Sequence, residues 1–177
     1  MNSVLPISWD GIATLIAALV GAGIVVWGFV HERRLQARAR RAEAYSGALQ
    51  AVSDYLEAPY RIRRRTGSHE SRFALTAHVS EIQSRLDFFT ALLVLIAPAN
   101  VCHAYAALVT AAKSEAGPQM TAAWQARPTR RDRDVPMTNP YPHPRSDAAR
   151  DVALAAMKTA TSGIAQRTRR SVVGPRR

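Results

Sequence analysis

"LTAHVSEIQSRLDFFTALLVLI", residues 75–96, has the clearest periodicity in the chain. Its apolar positions Leu75, Val79, Ile82, Leu86, Phe89, Leu93 and Ile96 recur at spacings of 4-3-4-3-4-3. Residues three and four apart share one face of a helix, so this is an a/d seam three heptads long. Ser80, Glu81, Gln83, Ser84, Arg85 and Asp87 fall on the other faces. Glu81 and Arg85 are spaced as an i, i+4 surface pair. Ser68 or Ser71 supplies the N-cap hydroxyl, and Pro98 closes the helix. A seam of this kind needs partner helices, and the sequence on both sides provides them.

Downstream, residues 88–112 carry no formal charge. Their length would allow a membrane span, but Pro98, Asn100 and His103 lie in the middle and each is costly in lipid. The spacing instead predicts two helices meeting at "APAN", 97–100, and burying each other. The second runs over 100–116 with Val101, Tyr105, Leu108 and Ala112 inward and stops at Gly117 and Pro118. One more turn in "QMTAAWQA", 119–126, docks Met120 and Trp124. Residues 127–145 then hold five of the ten prolines and read as an extended, polyproline-like linker or functional loop. A last helix, 146–168, starts at Ser146 or Asp147 and carries a thin stripe of Ala153, Met157, Ala160 and Ile164. The tail 169–177 is basic.

Upstream, residues 32–58 contain no proline and Gly47 as their one glycine. Tyr45, Leu49, Val52 and Leu56 form a single helical face, flanked by Ala42, Ala48 and Tyr55. Pro59 is expected to end or bend this helix. Arg61, Arg63, Arg64 and Arg65 follow, a solvated loop or a phosphate-binding patch.

Further upstream, residues 12–30 carry no charge over nineteen positions. At 1.5 Å per residue they span about 28 Å, close to the hydrocarbon thickness of a bilayer. Trp9 and Trp27 flank the run, where indole favours the headgroup region. The first ten residues hold no Lys or Arg, unlike an export signal. Arg33, Arg34, Arg38, Arg40 and Arg41 come after it, and the positive-inside rule keeps that side in the cytoplasm. The chain therefore reads as an all-α protein with an N-terminal transmembrane helix and a cytosolic antiparallel bundle of three to four helices. Its segments are an outer N-terminus (1–11), the span (12–30), the juxtamembrane helix and bundle (31–126), the Pro-rich linker (127–145), the C-terminal helix (146–168) and the tail (169–177). The expected location is the plasma membrane, N-terminus outside.

Ala17 and Gly21, like Ala18 and Ala22, are four apart, a spacing of small residues that lets two membrane helices pair. This is the expected face for self-association. The five juxtamembrane arginines are expected to contact anionic lipid headgroups, each contributing on the order of 1 kcal/mol.

The net charge is +11, from 24 basic and 13 acidic residues. Arginine dominates, a composition that also fits a high-G+C genome. Attraction to an anionic surface follows from the charge. Nucleic acid is disfavoured as the partner, because no recognition-helix motif appears and no aromatic ladder interleaves with the arginines. The single cysteine, Cys102, excludes an intrachain disulfide.

Little points to catalysis. The five histidines are scattered with no i, i+4 pair, so no metal site stands out. Cys102 and His103 point about 100° apart on a helix, and a Cys–His pair would have to recruit His78 from the facing helix. No Walker loop, nucleophile elbow or dinucleotide fingerprint occurs. No cofactor and no enzymatic activity are expected.

"RRAEAYSGALQAVSDYL", 40–56, and "LIAPANVCHAYAALVTAAKSEA", 95–116, complete a pattern. With the anchor and the Arg-rich continuation, residues 12–116 resemble a group of uncharacterised actinobacterial and phage-type single-pass membrane proteins. The resemblance implies an Arg-rich helical cytosolic domain and no activity. The expected role is a membrane-anchored interaction or scaffold protein with a protein partner of unknown identity, in a phage or host-defence setting if the gene is phage-borne. The rival roles are a membrane-tethered nucleic-acid binder and a permeabilising protein that uses 88–112 in the membrane.

Overall fold

A computed structural model describes residues 9–172, with side chains at 21–22 and 25–162 except 132. Four α-helices follow one another: α1 (Trp9–Arg63), α2 (His69–Ile96), α3 (Ala99–Gln125) and α4 (Pro144–Val172). No strand occurs among the described residues. The chain divides into two compact units, 1–40 and 41–177, and α1 contributes to both.

The second unit is a four-helix bundle, and named pairs fix its register. Gly47 meets Phe89, Asp54 meets Arg85 and Arg61 meets His78, so numbers rise along α1 as they fall along α2. Asp87 lies 3.7 Å from Lys113, and Cys102 bonds the carbonyl of Leu93, which sets α3 antiparallel to α2. Glu115 meets Ser146 and Gln119 meets Pro142, so α4 runs antiparallel to α3. The order is up-down-up-down, as expected for helices joined to their neighbours in sequence.

One core serves all four helices. Val52, Leu56 and Ile62 of α1, Ile82, Leu86 and Leu93 of α2, Val101, Tyr105 and Leu108 of α3, and Ala153 and Met157 of α4 are buried in it. The seam of 75–96 behaves as its spacing predicts, every member being buried or half-buried. Ser68 is the N-cap, accepting from the amide of Ser71 at 3.2 Å.

Four expectations are corrected. Pro59 does not end its helix: it lies inside α1, fully buried, one turn before Arg63. The lost hydrogen bond is offset by burial of Ala58, Tyr60 and Ile62 around it. Gly117–Pro118 does not end α3 either, which continues to Gln125. A proline crowds the Cβ of the residue before it. Glycine has none, so the helix passes through and buries Met120 and Ala123 beyond. Ser146 is not the cap of α4, which starts at Pro144, a residue suited to the first helical position. Ser146 is instead fully buried against Glu115. Arg85 bonds Asp54 across to α1 at 2.9 Å; it does not pair with Glu81.

The first unit is helical as far as it is described. Among the described residues no helix is long and apolar enough to cross a membrane. Of the run 12–30, the side chains of 12–20, 23 and 24 lie outside the described residues, as do those of Ala17 and Ala18 on the expected pairing face. Gly21 and Ala22 on that face are exposed. Residues 173–177 of the tail lie outside the described residues.

Candidate functional site: the arginine end of the bundle

In an up-down bundle the C-terminal ends of the first and third helices come to the same place. Here this joins two loops that lie more than sixty positions apart. Residues 61–72 and 127–134 together hold nine arginines against Glu70, Asp132 and Asp134, a net charge of +6. Like charges at this density repel unless the backbone beneath them is held.

Arg65 and Thr129 do the holding. The last carbonyls of any helix lack intrahelical partners. Arg65 reaches across and donates to three at the end of α3: Ala123 at 2.7 Å, Trp124 at 2.8 Å and Ala126 at 2.6 Å. It also bonds the carbonyl of Ile62, and its guanidinium lies 5.1 Å from the centre of the Trp124 ring. Burial, with Arg63 and Arg72 nearby, lowers its pKa from the ordinary guanidinium value. Thr129 bonds Arg65 through its amide at 3.0 Å, and its hydroxyl donates to the carbonyls of Arg64 and Arg65. Thr66 and Thr129 thus form an isolated parallel bridge. Arg63 adds a bond to the carbonyl of Arg127 at 3.1 Å.

Around this frame the remaining cations face outward. Arg64 stacks over Tyr60 at 5.3 Å and Arg72 over Trp124 at 5.8 Å. Arg127, Arg130 and Arg131 are exposed. Among the described residues none of Arg63, Arg64, Arg127, Arg130 and Arg131 pairs with a carboxylate. An open cleft of about 670 Å³ lies between Arg63, Arg127 and Arg130, lined also by Pro128, Thr129 and Asp134. The Pro-rich stretch continues from here along the bundle. Tyr60 donates to the carbonyl of Pro136 at 2.7 Å, and Gln119 to that of Pro142 at 3.0 Å.

The residues singled out from sequence are placed differently. Arg33, Arg34, Arg38, Arg40 and Arg41 remain a series along α1, three exposed and Arg38 and Arg41 half-buried. The Arg61–Arg65 cluster becomes a site because 127–131 joins it. Neither loop alone shows this in its sequence, because the signal is topological: helices in up-down order bring alternate loops together.

No catalytic constellation forms among the described residues. Cys102 is half-buried and donates to the carbonyl of Leu93, while His78 bonds Arg61 near the opposite end of α2. Leu93 and His78 are fifteen residues apart, roughly 22 Å of helix. No group of three His, Cys, Asp or Glu that could hold a metal occurs among the described residues. No family model, curated protein or solved structure matches the chain.

Proposed function

We propose that residues 12–30 cross the plasma membrane, N-terminus outside, and that the bundle beyond Arg41 is a non-enzymatic interaction module on the cytoplasmic face. The observation that supports this most is exposure. Val25 (55%), Val26 (61%), Trp27 (69%), Phe29 (67%) and Val30 (41%) are open to solvent in near succession. Successive helical positions point about 100° apart, so these five side chains cover an arc of about 200°, wider than the stripe by which a surface helix packs. A helix apolar all round belongs inside a large protein or a bilayer. Arg33, Arg34, Arg38, Arg40 and Arg41 then meet anionic headgroups. Ala17, Gly21, Ala18 and Ala22 offer a face on which two copies pair. The bundle surface and the Pro-rich segment face a protein partner.

The alternative use of 88–112 as a membrane segment is less well supported. Leu93, Val101, Tyr105 and Leu108 give one apolar face of that segment to the bundle core.

Cysteine labelling tests the topology. Full-length chains carrying Cys102→Ser with either Ser3→Cys or Thr138→Cys are exposed to an impermeant maleimide on intact spheroplasts. The reading expects carbonate-resistant membrane association, labelling at position 3 and none at 138 before lysis. Labelling at 138 from outside, or loss of the chain to the carbonate wash, overturns it.

A further inference from the structure

We propose that the arginine end of the bundle docks the phosphodiester backbone of a duplex nucleic acid without reading its base sequence. Three features of the site support this. First, the cations are unclaimed: Arg63, Arg64, Arg127, Arg130 and Arg131 have no carboxylate partner among the described residues. Guanidinium is the side chain whose planar fork matches phosphate oxygens in pairs. Secondly, the frame is fixed before a ligand arrives. The Arg65 cap and the Thr66–Thr129 bridge hold both loops by backbone hydrogen bonds, so little ordering accompanies binding. Thirdly, an open cleft of about 670 Å³ between Arg63, Arg127 and Arg130 gives a recess in which a phosphate can sit between guanidinium groups. Asp134 shares the cleft but lies 4.0 Å from Arg133, which offsets its charge.

The same geometry sets the class of ligand. Tyr60 is buried with Arg64 over its ring, and the half-buried Trp124 is already engaged by Arg65 and Arg72, so the site presents no exposed aromatic ladder for unpaired bases. Backbone contact without base stacking suits a duplex. A lipid surface is the other source of clustered phosphate. Residue 41, where the chain joins the bundle, lies 22 helical residues from Arg63, roughly 33 Å. That is several Debye lengths from the start of the bundle, and vesicle binding separates the two sources of phosphate. The proposal rests on the bundle alone and is read in detergent, so failure of the membrane reading leaves it testable.

The experiment measures binding of a fluorescent 30-base-pair DNA duplex to the full chain in neutral detergent between 50 and 200 mM salt. With four phosphates neutralised, affinity should fall by about 10²-fold over that range. Arg127→Ala, Arg130→Ala and Arg131→Ala should each lower the salt slope by about one, and the triple variant should abolish binding while keeping its helical circular dichroism and melting midpoint. Arg33→Ala/Arg34→Ala, and a chain ending at Gln166, should bind as the parent does. Three results overturn the proposal: no binding at 50 mM salt, binding indifferent to the triple substitution, or binding lost with the tail or the juxtamembrane pair. A triple variant that loses only its affinity for phosphatidylserine vesicles assigns the cluster to lipid and overturns it equally.

Discussion

At one end of the bundle α2 passes into α3 across Ala97 and Pro98, within a 25-residue stretch, 88–112, that carries no charge. At the other end the segments 61–72 and 127–134 carry nine arginines between them. The first end is closed by packing. Leu93 and Val101 are buried beside the turn, and its polar bonds are short-range: Ala97 to the carbonyl of Leu93, and Val101 to that of Pro98. The second end is closed by side chains that reach across helices. An apolar turn needs only two residues because nothing in it repels. A cationic end needs Arg65 and Thr129 to anchor the backbone under the charges. The contrast also separates roles. The packed end leaves Phe88, Val94 and Leu95 outside, at 58%, 66% and 81% exposure. The arginine end combines a cleft with arginines that have no carboxylate partner among the described residues.

Substitutions at the two ends should differ in size and kind. Leu93→Ala removes a buried side chain at the packed end and should cost about 2–5 kcal/mol in chemical unfolding of the full chain. A cost below about 1 kcal/mol would mean that this end is not held by packing. Arg65→Ala leaves the carbonyls of Ala123, Trp124 and Ala126, at the end of α3 and its cap, without this donor and should cost about 2 kcal/mol. Arg65→Lys should recover little of that, since an ammonium cannot reach three separated carbonyls as the fork does. Full rescue by lysine would show that charge, not geometry, closes the arginine end.

Two smaller effects sharpen the comparison along the length of the helices. The ring of Phe89 lies over Gly47, where an added Cβ would come within 2.5 Å of Cζ. Gly47→Ala should cost about 1 kcal/mol net, overpacking of about 2 kcal/mol being partly offset by better helix propensity. A stabilised variant would show that the ring yields freely. The smallest effect involves pH. Burial alone would raise the Glu115 pKa. The Ser146 hydroxyl, the amides of Arg145 and Ser146, and His143 nearby outweigh it and hold the carboxyl below its usual 4.5. A depressed folded value contributes stability above the unfolded pKa, and that stability is lost as pH falls through the folded value. Amide protection factors at the start of α4, exchange corrected for its intrinsic pH dependence, should therefore fall below about pH 4.5. Glu115→Gln should flatten that dependence; an unchanged profile would assign the acid sensitivity to another group.

Much of the fold was legible because helical faces are set by local geometry. The spacing at 75–96, the inward set of Val101, Tyr105, Leu108 and Ala112, and the Ser68 cap are all consequences of 3.6 residues per turn and of unpaired first-turn amides. The misreadings share one cause. At Pro59 and Pro118 a local stop signal lost to burial on both sides of it. At Ser146 the capping carboxylate comes from Glu115, on another helix, where no local rule looks for it. For Arg85, the partner Asp54 across the interface displaced the one four residues away.

The amino-acid order by itself determined the helices, their apolar faces and the uncharged run at 12–30, since each depends on neighbours within a few turns. The tertiary fold alone decided which polar groups meet: that Arg65 caps α3, that Glu115 receives α4, and that Arg63 shares one cleft with Arg127 and Arg130. Those contacts join residues some thirty to seventy positions apart, and only the folding back of the helices brings them within bonding distance.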